Sequence, residues 1–73
     1  MDIRVLRYFL AVAREESISR AADVLHITQP TLSRQMMRQE DELGAQLFNR
    51  TSKITLAGAG VHLKLGAMEI DSL

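Results

Sequence analysis

The stretch Ser17-Ile18-Ser19-Arg20-Ala21-Ala22-Asp23-Val24-Leu25-His26-Ile27-Thr28-Gln29-Pro30-Thr31-Leu32-Ser33-Arg34-Gln35 decides the fold. Its first part reads as a short helix over about residues 18–25, capped by Ser17 or Ser19, whose hydroxyl can accept an orphan N–H of the first turn. Ala21 pairs with Leu25, and Ile18 with Ala22, at helical i, i+4 spacing. The adjacent small residues Ala21 and Ala22 let another helix cross close by, as a steep helix–helix corner requires. His26-Ile27-Thr28 then breaks the period. Thr28 is a good N-cap for a third helix, and Pro30 falls in its first turn, where a missing N–H costs nothing. The seam Leu32, Met36, position 39, Leu43 carries that helix to Gly44, which closes it. Gln39 is the misfit: a buried amide without a partner costs about 1–3 kcal/mol.

Working outward, residues 3–15 form a first helix, with Leu6, Phe9, Leu10 and Ala13 on one face and Asp2 as its N-cap. Glu15-Glu16-Ser17 ends it. Beyond Gly44 the period changes. Leu47-Phe48-Asn49-Arg50 and Ile54-Thr55-Leu56 read as two short strands of a hairpin around Thr51-Ser52-Lys53. Residues 58–73 read as a last helix, with Val61, Leu65 and Met68 in one stripe and Leu63, Ala67 and Ile70 in another. Gly58, Gly60 and Gly66 each weaken it by about 1 kcal/mol relative to alanine, so it needs a partner to pack on. The run Ala57-Gly58-Ala59-Gly60 reads as a flexible joint.

The chain has 73 residues, of which 47% are apolar and 25% charged. That suits one domain with one core. The absence of cysteine excludes disulfides, thiolate catalysis, Cys-based zinc sites and iron–sulfur ligation. No segment approaches the ~18–20 apolar residues of a membrane span. The run Tyr8–Ala13 follows Arg4 and Arg7 but is cut off by Arg14-Glu15-Glu16, too soon for a secretion signal. The expectation is a soluble cytoplasmic protein. His26 and His62 stand apart with no helical i, i+4 partner, so a turn residue and a surface or packing residue are expected rather than a metal site. Glu40-Asp41-Glu42 reads as a solvated acidic face, with no histidine or nucleophile implied beside it. Gly58-Ala59-Gly60 lacks the lysine of a phosphate loop. No catalytic residue, metal or cofactor is expected, and the chain does not read as an enzyme.

Net charge is zero, but its distribution is uneven. Between Asp23 and Glu69 the acids are Glu40, Asp41 and Glu42, and the cations are Arg34, Arg38, Arg50, Lys53 and Lys64. Helix, short turn, helix with a polar leading face, then a hairpin: this is a helix-turn-helix followed by a wing. The first turn of the third helix offers free N–H groups and a positive dipole end to phosphate. Gln29, Thr31, Ser33, Arg34, Gln35 and Arg38 face outward as donors and acceptors for base edges or phosphates, while Leu32 and Met36 face the core. Arg38 has a competing partner in Glu42 at i+4. Arg50 and Lys53, at the hairpin tip, reach toward the flanking backbone or minor groove.

The run from Ser17 to Gln35, the segments Glu40 through Gly44 and Gln46-Leu47-Phe48-Asn49-Arg50, and the opening Leu6-Arg7-Tyr8-Phe9 with Ala11-Val12-Ala13 resemble the N-terminal DNA-binding domain of LysR-type transcriptional regulators. The resemblance covers residues 1 to about 60 without gaps. It implies a mainly α, winged helix-turn-helix fold: a three-helix core, a small β-hairpin wing and a C-terminal linker helix. The expected organisation is a DNA-binding domain over 1–57, its helix-turn-helix at about 18–37, and the start of a truncated linker or dimerisation helix over 58–73. The implied partners are double-stranded promoter or operator DNA and a second copy of the chain, joined through Val61, Leu65 and Met68. The expected DNA contacts are Thr28, Gln29, Pro30, Thr31, Ser33, Arg34 and Arg38 on the recognition helix, about residues 29–43, and Arg50 and Lys53 on the wing. The family's small-molecule effector domain has no counterpart in these residues.

The sequence departs from the family pattern at three places. Gln39 stands where leucine is usual, Met37 where a polar or basic residue is usual, and Ala57 where threonine caps the linker helix, a change that costs about 1 kcal/mol. These departures, with the short last helix, give the alternative expectation: a truncated protein–protein module that pairs with a full-length regulator and has little DNA affinity of its own.

Overall fold

In the computed structural model, which describes residues 2–50 and 54–71, the order is α1 (Ile3–Glu15), α2 (Ile18–Leu25), α3 (Gln29–Leu43), β1 (Phe48–Arg50), β2 (Ile54–Leu56) and α4 (Gly58–Asp71). For Arg50 and residues 69–71 the backbone alone is described. The expected turn Thr51-Ser52-Lys53 and the last two residues of the expected terminal helix lie outside the described residues.

Local chemistry sets the helix ends. Asp2 Oδ1 accepts the Val5 N–H at 2.9 Å and starts α1. Ser17, rather than Ser19, caps α2, its Oγ accepting the Arg20 N–H at 3.2 Å. Thr28 caps α3. At the end of α2 the Ile27 N–H reaches back to the Ala22 carbonyl and the His26 N–H to that of Asp23. This paired closure puts His26 in the left-handed region at φ 59°. α3 closes in the same way: Ala45 N–H bonds the Glu40 carbonyl and Gly44 N–H that of Asp41, with Gly44 at φ 65°.

The core is drawn from every part of the three-helix unit and from the start of the wing. Val5, Phe9, Ala11 and Val12 of α1, Ala21 and Ala22 of α2, Leu32 and Met36 of α3, and Leu47 and Phe48 form one buried cluster. The stripe of α1 that enters it is centred on Val5, Phe9 and Val12; Leu6, Leu10 and Ala13 flank it half-buried. The expected face was therefore rotated by one residue, because leucine and valine are equally apolar in the pattern. Phe9 and Phe48 stack with ring centroids 5.3 Å apart, tilted by 40°.

The seam of α3 departs from expectation at Leu43. Leu43 is 54% exposed. Beyond Gly44 the chain returns to Glu40, which accepts the Leu47 N–H, and Leu47 is fully buried where Leu43 is not. Gln39 is buried as expected, at 6% exposed, but not among apolar side chains alone. Gln39 borders a polar cleft with Asp2, Arg4, Gln35, Arg38 and Glu42. Among the described residues no buried side-chain nitrogen or oxygen lacks a partner.

β1 and β2 pair antiparallel, Phe48 with Leu56, Asn49 with Thr55 and Arg50 with Ile54. Asn49 and Thr55 face solvent together, and Asn49 Nδ2 donates to Thr55 Oγ1 at 3.4 Å. The Ala57 N–H donates to the Leu47 carbonyl at 2.8 Å, so α4 starts tied to the wing. The joint expected to be flexible is tight at Gly60. A Cβ there would collide with the Leu47 carbonyl oxygen and lie 3.0 Å from the Leu47 carbonyl carbon.

Candidate nucleic-acid interface

Buried Leu32 and Met36 hold α3 from behind. Its opposite side carries Pro30, Arg34, Met37, Arg38 and Asp41, all exposed, with Thr31, Ser33 and Gln35 half-buried along the flanks. Thr31, Arg34, Gln35 and Arg38 line one surface depression. Gln29, Pro30 and Ser33 line another with Ile18 of α2. The structure therefore brings the expected residues of α3 onto one continuous outer surface.

Their individual states differ. Arg34 makes no hydrogen bond or ion pair with another described residue, so its guanidinium is available. Arg38 Nε lies 3.4 Å from Glu42 Oε1, and both side chains are exposed, which is the competing pair expected from the spacing. Gln29 Nε2 donates to Ser19 Oγ at 3.3 Å and links the two helices of the motif across their turn. Ser19, which the pattern offered only as an alternative cap, has this linking role. Thr28 Oγ1 donates to Thr31 Oγ1 at 2.8 Å and accepts the Thr31 N–H at 3.4 Å.

Of the free N–H groups expected at the start of α3, the cap takes that of Thr31, and no described residue accepts those of Thr28 and Gln29. Pro30 has none, and the Leu32 N–H makes the first bond within the helix, to the Thr28 carbonyl at 3.1 Å. The capping threonine thus occupies one of the donors that the helix start would offer an anion. On the wing, Arg50 closes β1 opposite Ile54, with only its backbone described, and Lys53 lies outside the described residues.

On α4, Val61, Leu65 and Met68 are 45%, 60% and 55% exposed, an apolar stripe at i, i+4, i+7. The second expected stripe turns the other way: Leu63 is half-buried and Ala67 buried, while the Ile70 side chain is not among those described. Among the described residues no group of three or more His, Cys, Asp or Glu is placed to hold a metal. No helix is long and apolar enough there to cross a membrane.

Glu40 was missed as a structural residue. Its Oε2 accepts the Leu47 N–H at 2.8 Å and lies 3.4 Å from the Phe48 nitrogen, so this carboxylate is tied to the wing rather than solvated.

A two-helix motif with a polar outer stripe, a two-stranded wing and a trailing helix places the chain in the class of winged helix-turn-helix DNA-binding domains. The family described as bacterial regulatory helix-turn-helix protein, lysR family, matches residues 3–61. The chain belongs to this family. The HTH-type transcriptional regulator BsdA of Bacillus subtilis (strain 168) is 50% identical over 72 residues, covering 96% of this chain and 25% of BsdA. Among solved structures, the BenM DBD/benA site 1 DNA complex superposes with a TM-score of 0.91 at 44% identity, covering 99% of this chain and 82% of that one. The CbnR DBD–DNA complex gives 0.88 at 38% identity, with 99% and 84% covered. The chain thus spans a quarter of BsdA and about four-fifths of these DNA-bound chains.

Proposed function

We propose that the chain is a sequence-specific, double-stranded-DNA-binding domain of a bacterial transcriptional regulator, acting in the cytoplasm at promoter or operator sites and without catalysis. Residues 1–57 form the DNA-reading unit, with the helix-turn-helix at about 18–37, and α4 is the start of a linker or pairing helix. The single observation that carries the reading is the sidedness of α3: Leu32 and Met36 are fully buried while Pro30 and Arg34 on the other side are exposed. A helix so held can enter a major groove, about 12 Å wide, and still be anchored. In this placement Thr28, Gln29, Pro30, Thr31, Ser33 and Arg34 meet bases and phosphates, and Arg38 meets phosphate when it leaves Glu42. Arg50 and Lys53 belong to the reading on sequence grounds. The DNA complexes formed by the BenM and CbnR domains support it.

The uncovered stripe of α4 supports a homodimer, whose two recognition helices would meet half-sites about one helical turn apart. The same stripe favours the alternative, a module that pairs with a full-length regulator and holds DNA weakly. Selection of duplexes from a random pool, followed by gel-shift titration at two salt concentrations, tests the leading reading. A selected duplex bound with the salt dependence of phosphate contacts is the expected result. A chain that enriches no sequence yet captures a full-length relative favours the alternative.

A further inference from the structure

We propose that Met37 is a specificity-determining residue of α3 that reads the 5-methyl group of a thymine. The inference rests on the placement of α3 in a major groove. Met37 is 59% exposed, whereas Leu32 and Met36 of the same helix are fully buried. It follows Pro30, Ser33 and Arg34 at i+7, i+4 and i+3, so it continues their stripe along the helix. At 1.5 Å per residue it lies about 4.5–6 Å beyond Ser33 and Arg34. That is one to two base-pair steps of 3.4 Å further along the duplex.

The chemistry of the side chain narrows what it can read. A thioether donates no hydrogen bond and accepts only weakly. Among the features of the major groove, the one it matches is the thymine methyl, the groove's apolar feature. Its unbranched, polarisable chain adapts to the methyl without demanding one geometry. Arg34 and Ser33 supply the polar contacts of the same surface, so an apolar reader beside them adds discrimination that another donor would not.

The test uses the full chain and a duplex that it selects from a random pool. Each thymine is replaced in turn by deoxyuridine, which removes the methyl alone, and dissociation constants are measured for the unaltered chain, Met37→Gln and Arg34→Ala. Thermal unfolding verifies that Met37→Gln is folded. The expected result is a thymine whose methyl loss weakens the unaltered chain about fourfold, the scale of one buried carbon, while Met37→Gln binds both duplexes alike. A scan in which no methyl is coupled to position 37 overturns the proposal. If Arg34→Ala loses affinity in that case, the groove placement stands and the role of Met37 alone is removed. If Arg34→Ala binds as tightly as the unaltered chain, the groove placement fails as well.

Discussion

The Glu40 carboxylate accepts the Leu47 backbone N–H at 2.8 Å, and the same oxygen lies 3.4 Å from the Phe48 nitrogen. A residue of α3 thereby fixes where the wing begins. Beside this tie the Phe48 ring lies against Phe9, 5.3 Å away between centroids. Hydrogen bonds to a charged acceptor contribute about 1.5–3 kcal/mol each when shielded, and Glu40 is half-buried.

Glu40→Ala is therefore expected to destabilise the chain by about 1.5–3 kcal/mol, which in a domain of this size lowers Tm by roughly 6–24 °C. Asp41→Ala and Glu42→Ala remove exposed carboxylates and should stay within about 0.5 kcal/mol. Thermal unfolding of the three variants checks this. Equal melting of all three would mean that the bond to Leu47 contributes no net stability.

The glycines of α4 separate by the same kind of measurement. A Cβ at Gly60 meets the Leu47 backbone, which cannot swing aside as a side chain does. At Gly58 and Gly66 it meets nothing within 4 Å. Gly60→Ala should cost about 1–3 kcal/mol from overpacking. Gly66→Ala should stabilise by about 0.4–1 kcal/mol through the lost freedom of the unfolded chain. Stabilisation by Gly60→Ala would show that α4 does not pack on the wing as described.

What was legible in the sequence and what was not divides along contact distance. The caps at Asp2 and Thr28, the turn at His26, the closure at Gly44 and the Arg38–Glu42 pair are settled within about one helical turn, where residue type and spacing speak directly. The outward stripe of α3 followed from the same periodicity. Glu40 with Leu47, and Gly60 with the same residue's carbonyl, are contacts made by the fold. In the sequence Glu40 is one of three consecutive acids and Gly60 one of the three glycines of the last helix, and nothing local marks either. Leu43 failed for a related reason: helical periodicity cannot say that the last apolar residue before Gly44 stays exposed while Leu47, past the turn, is buried.

Arg34 and Arg38 share a face but should respond differently to removal. Arg34 is unengaged by described residues, so Arg34→Ala should weaken specific binding by about 1–3 kcal/mol, the scale of a bidentate base contact. Arg38 is held 3.4 Å from Glu42. Glu42→Gln therefore releases a cation at the edge of the interface and should strengthen binding while steepening the salt slope by up to about 0.9, one phosphate contact. Titrations at two salt concentrations read both effects. A Glu42→Gln slope equal to that of the unaltered chain would place Arg38 outside the phosphate contacts.

The stripe of α4 gives the last test, because Leu65 is the most exposed of its three residues at 60%, between Val61 at 45% and Met68 at 55%. An exposed leucine adds little to the fold of one chain, so Leu65→Glu should change unfolding by no more than about 0.5 kcal/mol at concentrations where the chain is monomeric. In an isologous pair each copy presents the same stripe to the other, and a charge at Leu65 enters the interface twice. Burying two unpaired carboxylates there is costly, so Leu65→Glu should sediment as a monomer where the unaltered chain sediments as a dimer. Its DNA footprint should shrink from two half-sites to one, with affinity for the paired site falling toward that for a single half-site. Should the unaltered chain and Leu65→Glu sediment alike and protect the same length of DNA, Val61, Leu65 and Met68 would have no part in pairing.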